Sequence, residues 1–418
     1  MRVIGYQDPD YAAWRQTMGR RATPDASVAE TVAQIILKIR NGGDKALHEL
    51  TMQFDGVELQ TIALTTTPPR PPKDVARAVA EARENIARFA KRQIPKNWRQ
   101  RNLHGASVGE QFRPFARVGV YVPGGTAPLV STALMTVTLA RAAGCREIAV
   151  VTPPPVNPIL HFAIRLAGAS EIYQVGGAQA VAALAFGTES IRPVQKIVGP
   201  GNRYVIEAKR QVLGTVAIDQ LPGPSEAMVI ADAHADPALV ASDLLAQSEH
   251  GPDSAGVLLT PSLPLRDAVQ NEIRRQLAAL SRRSILEQSL ARCCSLAHVR
   301  SLSDAADIAN DYAPEHLSLQ VRRPASLLPR ILHAGAVFLG PFSPIVAGDF
   351  VAGPSHTLPT GGAAKSFSGL TVGEFFRRTS VIEYSRSSLR RALPAIGAFA
   401  SIEGLDAHGQ SAMIRFER

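Results

Sequence analysis

Between residues 118 and 216 the chain alternates short β-branched runs with helix-length apolar stretches, and this alternation constrains its fold more than any other feature. Strands are expected at 118–122, 147–151, 171–174 and 196–198, with helices at 129–143, 158–167 and 178–186 between them. Pro158 stands at a first helical position behind Asn157, and Gly144 and Gly168 follow helix ends. Strand–helix–strand repetition means crossover connections and a parallel sheet covered by helices. A second series begins near Ala227, with strands at 227–230, 256–259 and 336–339 and helices at 237–247 and 265–280. The expected fold class is therefore α/β, with two Rossmann-like parallel-sheet lobes, one inserted in the other.

The first hundred residues read as helical. Val28, Val32, Ile35, Ile36 and Ile39 recur at helical spacing over 26–40, which stops at Asn41-Gly42-Gly43. A second helix is expected at 73–91, after the prolines of 68–72. These features divide the chain into a helical N-terminal segment (1–22), a first lobe (23–112 with 227–370), an inserted second lobe (113–226) and a C-terminal arm (371–418). The arm has no lobe of its own, and such arms often wrap a neighbouring subunit. No internal repeat at a fixed period is evident.

At 418 residues the chain exceeds what one core usually serves. Residues 118–140 carry no charge and are long enough to span a membrane. Pro123-Gly124-Gly125 and Pro128 interrupt them, so strand, glycine turn and buried helix is the better account, and no membrane partner is expected. Three cysteines make no disulfide framework and fit a reducing cytoplasm, and no signal peptide is read in Met1 to Asp8. The net charge of +9 lies mostly on arginines scattered along helices and seldom near aromatics. That pattern argues against nucleic acid and for a surface that draws in anionic cofactors.

The most reactive stretch is Asn310-Asp311-Tyr312-Ala313-Pro314-Glu315-His316-Leu317. A histidine titrating near neutral pH beside a glutamate can divide proton work with it. A second such pair lies in Gln247-Ser248-Glu249-His250, where Gln247 and His250 share a helix face. A helix-end histidine bonded to Glu249 or to the last carbonyls is, in isolation, the better account of that spacing. Asp349 and His356 sit in a loop shaped by Gly348, Gly353 and Pro354, which suits presentation of polar groups or an ordinary turn. Glu403 and His408 stand five apart in what composition alone calls a solvated segment. Gln247, His250, Asp349 and His408 make a candidate mixed oxygen–nitrogen zinc set, though their spacing alone does not establish convergence.

No G-x-G-x-x-G follows a strand. Glycine-rich junctions occur at Val122-Pro123-Gly124-Gly125, Gly176-Gly177-Ala178-Gln179 and Gly199-Pro200-Gly201-Asn202. They serve either anion binding at helix N-termini or tight turns. Cys145 reads as packing, and Cys293-Cys294 has no histidine at hand, so a thiol nucleophile is not expected.

These segments, in this order, resemble histidinol dehydrogenase across nearly the whole chain. The resemblance runs from Phe54-Asp55-Gly56-Val57 through the glycine junctions, Gly223-Pro224-Ser225-Glu226, Gln247-Ser248-Glu249-His250, Ala313-Pro314-Glu315-His316 and Gly348-Asp349 to Glu403-Gly404-Leu405-Asp406-Ala407-His408. It implies oxidation of L-histidinol to L-histidine through histidinal, with two NAD⁺ and one zinc ion per subunit, as the last part of histidine biosynthesis. By resemblance Gln247, His250, Asp349 and His408 hold zinc, and Glu315 and His316 transfer protons. Ser225, His356 and Glu403, with the zinc ligands and His316, contact substrate, while Tyr121, Gln179 and Asn202 contact NAD. The resemblance also implies a homodimer in which the arm, with Glu403 and His408, completes the partner's site. One departure stands out: Pro222 precedes Gly223 where the family usually has alanine, and it stiffens the loop carrying Ser225. The alternative reading is a relative of the same fold that oxidises another small polar alcohol.

Overall fold

A computed structural model describes residues 1–18, 26–124 and 128–417. The inserted lobe is a five-stranded parallel sheet in the order Glu171–Tyr173, Glu147–Val151, Arg117–Tyr121, Lys196–Val198, Ala217–Ile218. The chain moves outward from Arg117–Tyr121 in one direction, then returns to continue on its other side. The carboxyl ends of Arg117–Tyr121 and Lys196–Val198 therefore flank the crevice where open α/β sheets bind ligands. Helices form where the capping residues allow. Asn157 accepts the N–H groups of Ile159 and Leu160, and Gly144 and Gly168 take left-handed conformations that end Val130–Ala143 and Pro158–Ala167. Val130–Ala143 is buried on nearly every side, which explains why it carries no charge before Arg141 in its last turn. No helix among the described residues is long and apolar enough to cross a membrane.

The other lobe is a six-stranded parallel sheet in the order Arg2–Gly5, Ser295–His298, Ala255–Thr260, Glu226–Ala231, His316–Gln320, Ala336–Leu339. One of its strands precedes the five-stranded sheet in sequence and five follow it, so the insertion expected from the sequence is present. The N-terminal segment is not wholly helical, however. Arg2–Gly5 is an edge strand, and the Tyr11–Thr17 helix behind it buries Trp14, whose Nε1–H donates to Ser295 Oγ at 3.3 Å. The expectation for residues 19–22 lies outside the described residues.

Two further expectations change. The helix foreseen at 26–40 continues to Asp55 across a break at Gly43, whose φ of 51° is left-handed. It resumes because Ala46, Leu47 and Leu50 are buried beyond the break, and because Glu189 accepts the Asp44 N–H at 2.7 Å. The assignment of 23–112 to the first lobe is also corrected. Val32, Ile39 and Leu47 pack on the Gly177–Phe186 and Arg203–Val212 helices, on one face of the five-stranded sheet. Val79 and Ile86 of Lys73–Gln93 pack on Val130–Ala143 on the other face. Apolar faces that have no sheet of their own cover the nearest one, whichever segment of sequence supplied it.

The arm is better ordered than composition suggested. Phe376–Glu383 pairs antiparallel along the full length of Ser107–Pro114, which also pairs with Trp98–Arg101. The helices Arg386–Glu403 and Asp406–Met413 then project with Phe399 64% and Ile402 80% exposed.

Candidate active site

Two adjoining cavities lie between the lobes, about 750 and 550 Å³ in volume, and Pro123, Leu129, Asn202, His250 and Arg282 border both. The carboxyl ends of the five-stranded sheet face them from one side. From the other side they meet the amino ends of the six-stranded sheet, where Ser225, Glu315 and His316 stand. The second sheet thus contributes the edge opposite to the one that usually binds ligands in open α/β folds.

Tyr121, Gln179 and Asn202 all line the larger cavity. Tyr121 ends its strand and accepts the Gly177 N–H at 3.0 Å, and burial pushes its phenol up to about 12, so the hydroxyl proton stays in place for a ligand. Gln179 is buried, and neither side-chain amide atom has a partner among the described residues. Such a group carries a desolvation cost that a ligand can relieve. Asn202 caps the Arg203–Val212 helix by accepting the N–H groups of Tyr204 and Val205, and its amide N–H₂ has no partner among the described residues. Its loop needs glycine at 199: φ is 116°, and a Cβ there would strike the Tyr121 carbonyl.

The smaller cavity collects Ser225, His250, Glu315, His316, Asp349 and His356. The chain reaches it through Ala313, which ends the Leu302–Tyr312 helix at a positive φ of 55°. A non-glycine residue there costs on the order of 1 kcal/mol. The turn sets Glu315 at the mouth of the His316–Gln320 strand. Glu315 Oε2 accepts the Glu226 N–H at 2.9 Å, and Glu226 in turn accepts from the Tyr312 hydroxyl and the Gly361 N–H, each at 3.0 Å. Burial, with the negative charges of Glu226 and Asp349 behind it, raises the Glu315 carboxyl well above its ordinary range.

His316 lies with Nδ1 3.7 Å from Glu315 Oε2 and Nε2 3.6 Å from Asp349 Oδ1. Burial above all, then the neighbouring His250 and His356, lowers it to about 3, so the ring is neutral and can accept a proton. Two other rings have their tautomers set by carbonyls, which can only accept. His250 Nδ1–H donates to the Gln247 carbonyl at 3.2 Å, and His356 Nδ1–H donates to that of Asp349 at 3.0 Å. The Nε2 lone pair of His250 is thereby exposed, and that of His356 accepts from Thr132 Oγ1 at 3.1 Å.

Gln247 is 1% exposed, and both of its amide atoms lack partners among the described residues. Asp349 is pushed up to about 6 by burial, with His250 opposing. An unsatisfied amide oxygen, an imidazole with a free Nε2 and a desolvated carboxylate form a donor set that suits zinc. Glu403 and His408 are not brought to this cavity within one chain. They line a separate recess of about 270 Å³ with His104 and Tyr384. Among the described residues no cluster of three or more His, Cys, Asp or Glu side chains could hold a metal ion. No cysteine lines either cavity, and burial raises the Cys145 thiol to about 11. Sequence reasoning missed Thr132, Arg282 and the Tyr312–Glu226–Gly361 relay. Only Tyr312 and Glu226 carried a signal, because each lies within a quoted motif.

A sequence profile described as histidinol dehydrogenase matches residues 18–416. The chain belongs to the histidinol dehydrogenase family. It is 43% identical to the histidinol dehydrogenase of Heliobacterium mobile over the full length of both chains. It is 46% identical to that of Moorella thermoacetica, covering 93% of this chain and 95% of the relative. The crystal structure of histidinol dehydrogenase from Elizabethkingia anophelis is similar with a TM-score of 0.94 and 34% identity, over 100% of this chain and 98% of that one. Membership makes the protein an oxidoreductase of histidine biosynthesis acting on a small molecule. An acetylating aldehyde dehydrogenase from Geobacillus thermoglucosidasius, 14% identical with a TM-score of 0.51 over 90% of this chain and 94% of that one, shares the fold alone.

Proposed function

We propose that the protein oxidises L-histidinol to L-histidine through L-histidinal in two hydride transfers, a four-electron oxidation that uses zinc and NAD⁺, in the cytoplasm. One observation carries this reading: the Glu315–His316 pair and the His250 and Asp349 donors border a cavity that opens on the one lined by Tyr121, Gln179 and Asn202. When bound, zinc supplies a template for the substrate's imidazole and amine, and NAD⁺ supplies the hydride acceptor.

The chain's own residues do the rest. Neutral His316 takes the alcohol proton at Nε2, without which a hydride cannot leave the carbon. The aldehyde must be hydrated before a second hydride can leave. Glu315, tied at Oε2 to the Glu226 N–H, offers Oε1 to the water. A substrate ammonium in the cavity offsets the burial that holds this carboxyl protonated. Ser225 and His356 line the substrate cavity, His356 fixed by Thr132. Glu403 and His408 would enter from a second copy of the chain, a homodimer reading that their separate recess and the exposed Phe399 and Ile402 support.

The test is NAD⁺ reduction with L-histidinol before chelation, after it and after zinc return. Two NADH per histidinol, lost on chelation and restored by zinc, are expected. No turnover with histidinol but turnover with another small alcohol would overturn the substrate and leave the chemistry. Pro222, which lines the cavity beside Ser225, is the observation favouring that second reading.

A further inference from the structure

Arg282 is the only lysine or arginine among the described residues lining either cavity, and it lines both. It precedes the Arg283–Cys293 helix, and its carbonyl accepts the N–H groups of Ile285 and Leu286 at 3.0 and 3.2 Å, which fixes its backbone. Its neighbours in the smaller cavity include Glu249, Asp253, Glu315 and Asp349, yet its guanidinium forms no ion pair or hydrogen bond with any described residue. A half-buried guanidinium keeps its full charge and a fixed fork of donors. In a partly desolvated cleft such a group is a strong anion site.

Charge then selects its ligand. The alcohol substrate of the proposed reaction carries an ammonium group, which suits the carboxylates and is repelled by Arg282. The dinucleotide carries a diphosphate, and this chain has no glycine-rich phosphate loop of the G-x-G-x-x-G kind. Its nicotinamide end must reach His316 in the smaller cavity while its remainder occupies the larger one, so its middle crosses the junction that Arg282 borders. We propose that Arg282 binds the diphosphate of the dinucleotide; this rests on the function proposed above. The product carboxylate is the other anion that could reach the same fork.

The test compares wild type with Arg282→Met and Arg282→Lys by fluorescence titration of NADH, competition by ADP-ribose, and inhibition by L-histidine. In Arg282→Met the dissociation constants for NADH and ADP-ribose should rise about 10- to 100-fold, as for loss of a charge-assisted bidentate contact. Arg282→Lys, which keeps the charge and guards against a folding defect, should lose less. The inhibition constant of L-histidine should hold. Unchanged NADH affinity in both variants would overturn the assignment, as would a loss confined to L-histidine. Wild-type protein that binds no NADH would instead overturn the underlying function.

Discussion

Lys209 and Asp219 form an ion pair with side chains 0% and 2% exposed, closed around the backbone of Gly199. Lys209 Nζ donates to the Gly199 carbonyl at 3.0 Å, and Asp219 Oδ2 accepts the Gly199 N–H at 2.7 Å. Pro200, Gly201 and Asn202 follow at once on one cavity wall, and Pro222 to Ser225 follow Asp219 on another. One buried pair thus anchors the roots of both loops.

Removing one partner strands a buried charge, which typically costs about 3–5 kcal/mol. Lys209→Met should therefore lower the thermal midpoint markedly. At temperatures where the variant remains folded, its KM for NAD⁺ should rise more than its kcat falls, because Asn202 loses its anchor. A variant that melts early but keeps the wild-type KM would show the pair to be structural only.

The Glu315–His316 pair should separate by substrate. His316→Asn removes the base for alcohol oxidation, and turnover of histidinol should drop about 10²–10⁴-fold. Glu315→Gln keeps the contact with the Glu226 N–H but cannot take a proton, so oxidation of supplied histidinal should fall by a similar factor. Stopped-flow NADH formation from histidinol should then show a first hydride transfer less impaired than the second. Equal loss in both half-reactions would remove the division of roles.

Acid stability should be set partly by the edge of the inserted sheet. Arg117 donates to both Glu171 and Glu147, and its bidentate bond, helped by Tyr173, lowers Glu171 to about 2 against the burial that opposes it. A depressed carboxylate contributes stability that is complete above its unfolded pKa and is lost as pH falls through the folded one. The loss should fall between about pH 4.5 and about 2, and amount to about 1–2 kcal/mol once solvent screening is allowed for. In urea unfolding as a function of pH, Glu171→Gln should flatten this part of the acid limb.

Legibility followed apolar periodicity and punctuation. Glu147–Val151, Pro158–Ala167, Lys196–Val198 and Ala336–Leu339 have the bounds that the sequence suggested, because glycine, proline and asparagine mark their ends. The strand carrying His316 did not show, since its Ser318 and Gln320 are polar yet buried, Gln320 donating to Asp243 at 2.8 Å. Trp98–Arg101 and Phe376–Glu383 were equally hidden, being charged and mostly exposed. For the site, the acid–base pair is local in sequence and was readable. His250 and Asp349 are 99 positions apart, and only packing could unite them. Arg282 lies among ordinary surface arginines, and its lack of an ion pair with any described residue is a property of the folded cleft.

The separation of His408 from His250 and Asp349 within one chain supports a shared site, and subunit mixing can test it. His316→Asn and His408→Asn should each be nearly inactive alone. In a mixed dimer with crossed arms, one site carries both substitutions and the other carries neither. Random assortment makes half the dimers mixed, so co-expression should restore about a quarter of wild-type activity. If each arm served its own subunit, every site in the mixture would carry one substitution and no activity would return. Separately purified variants mixed without subunit exchange provide the baseline for that measurement.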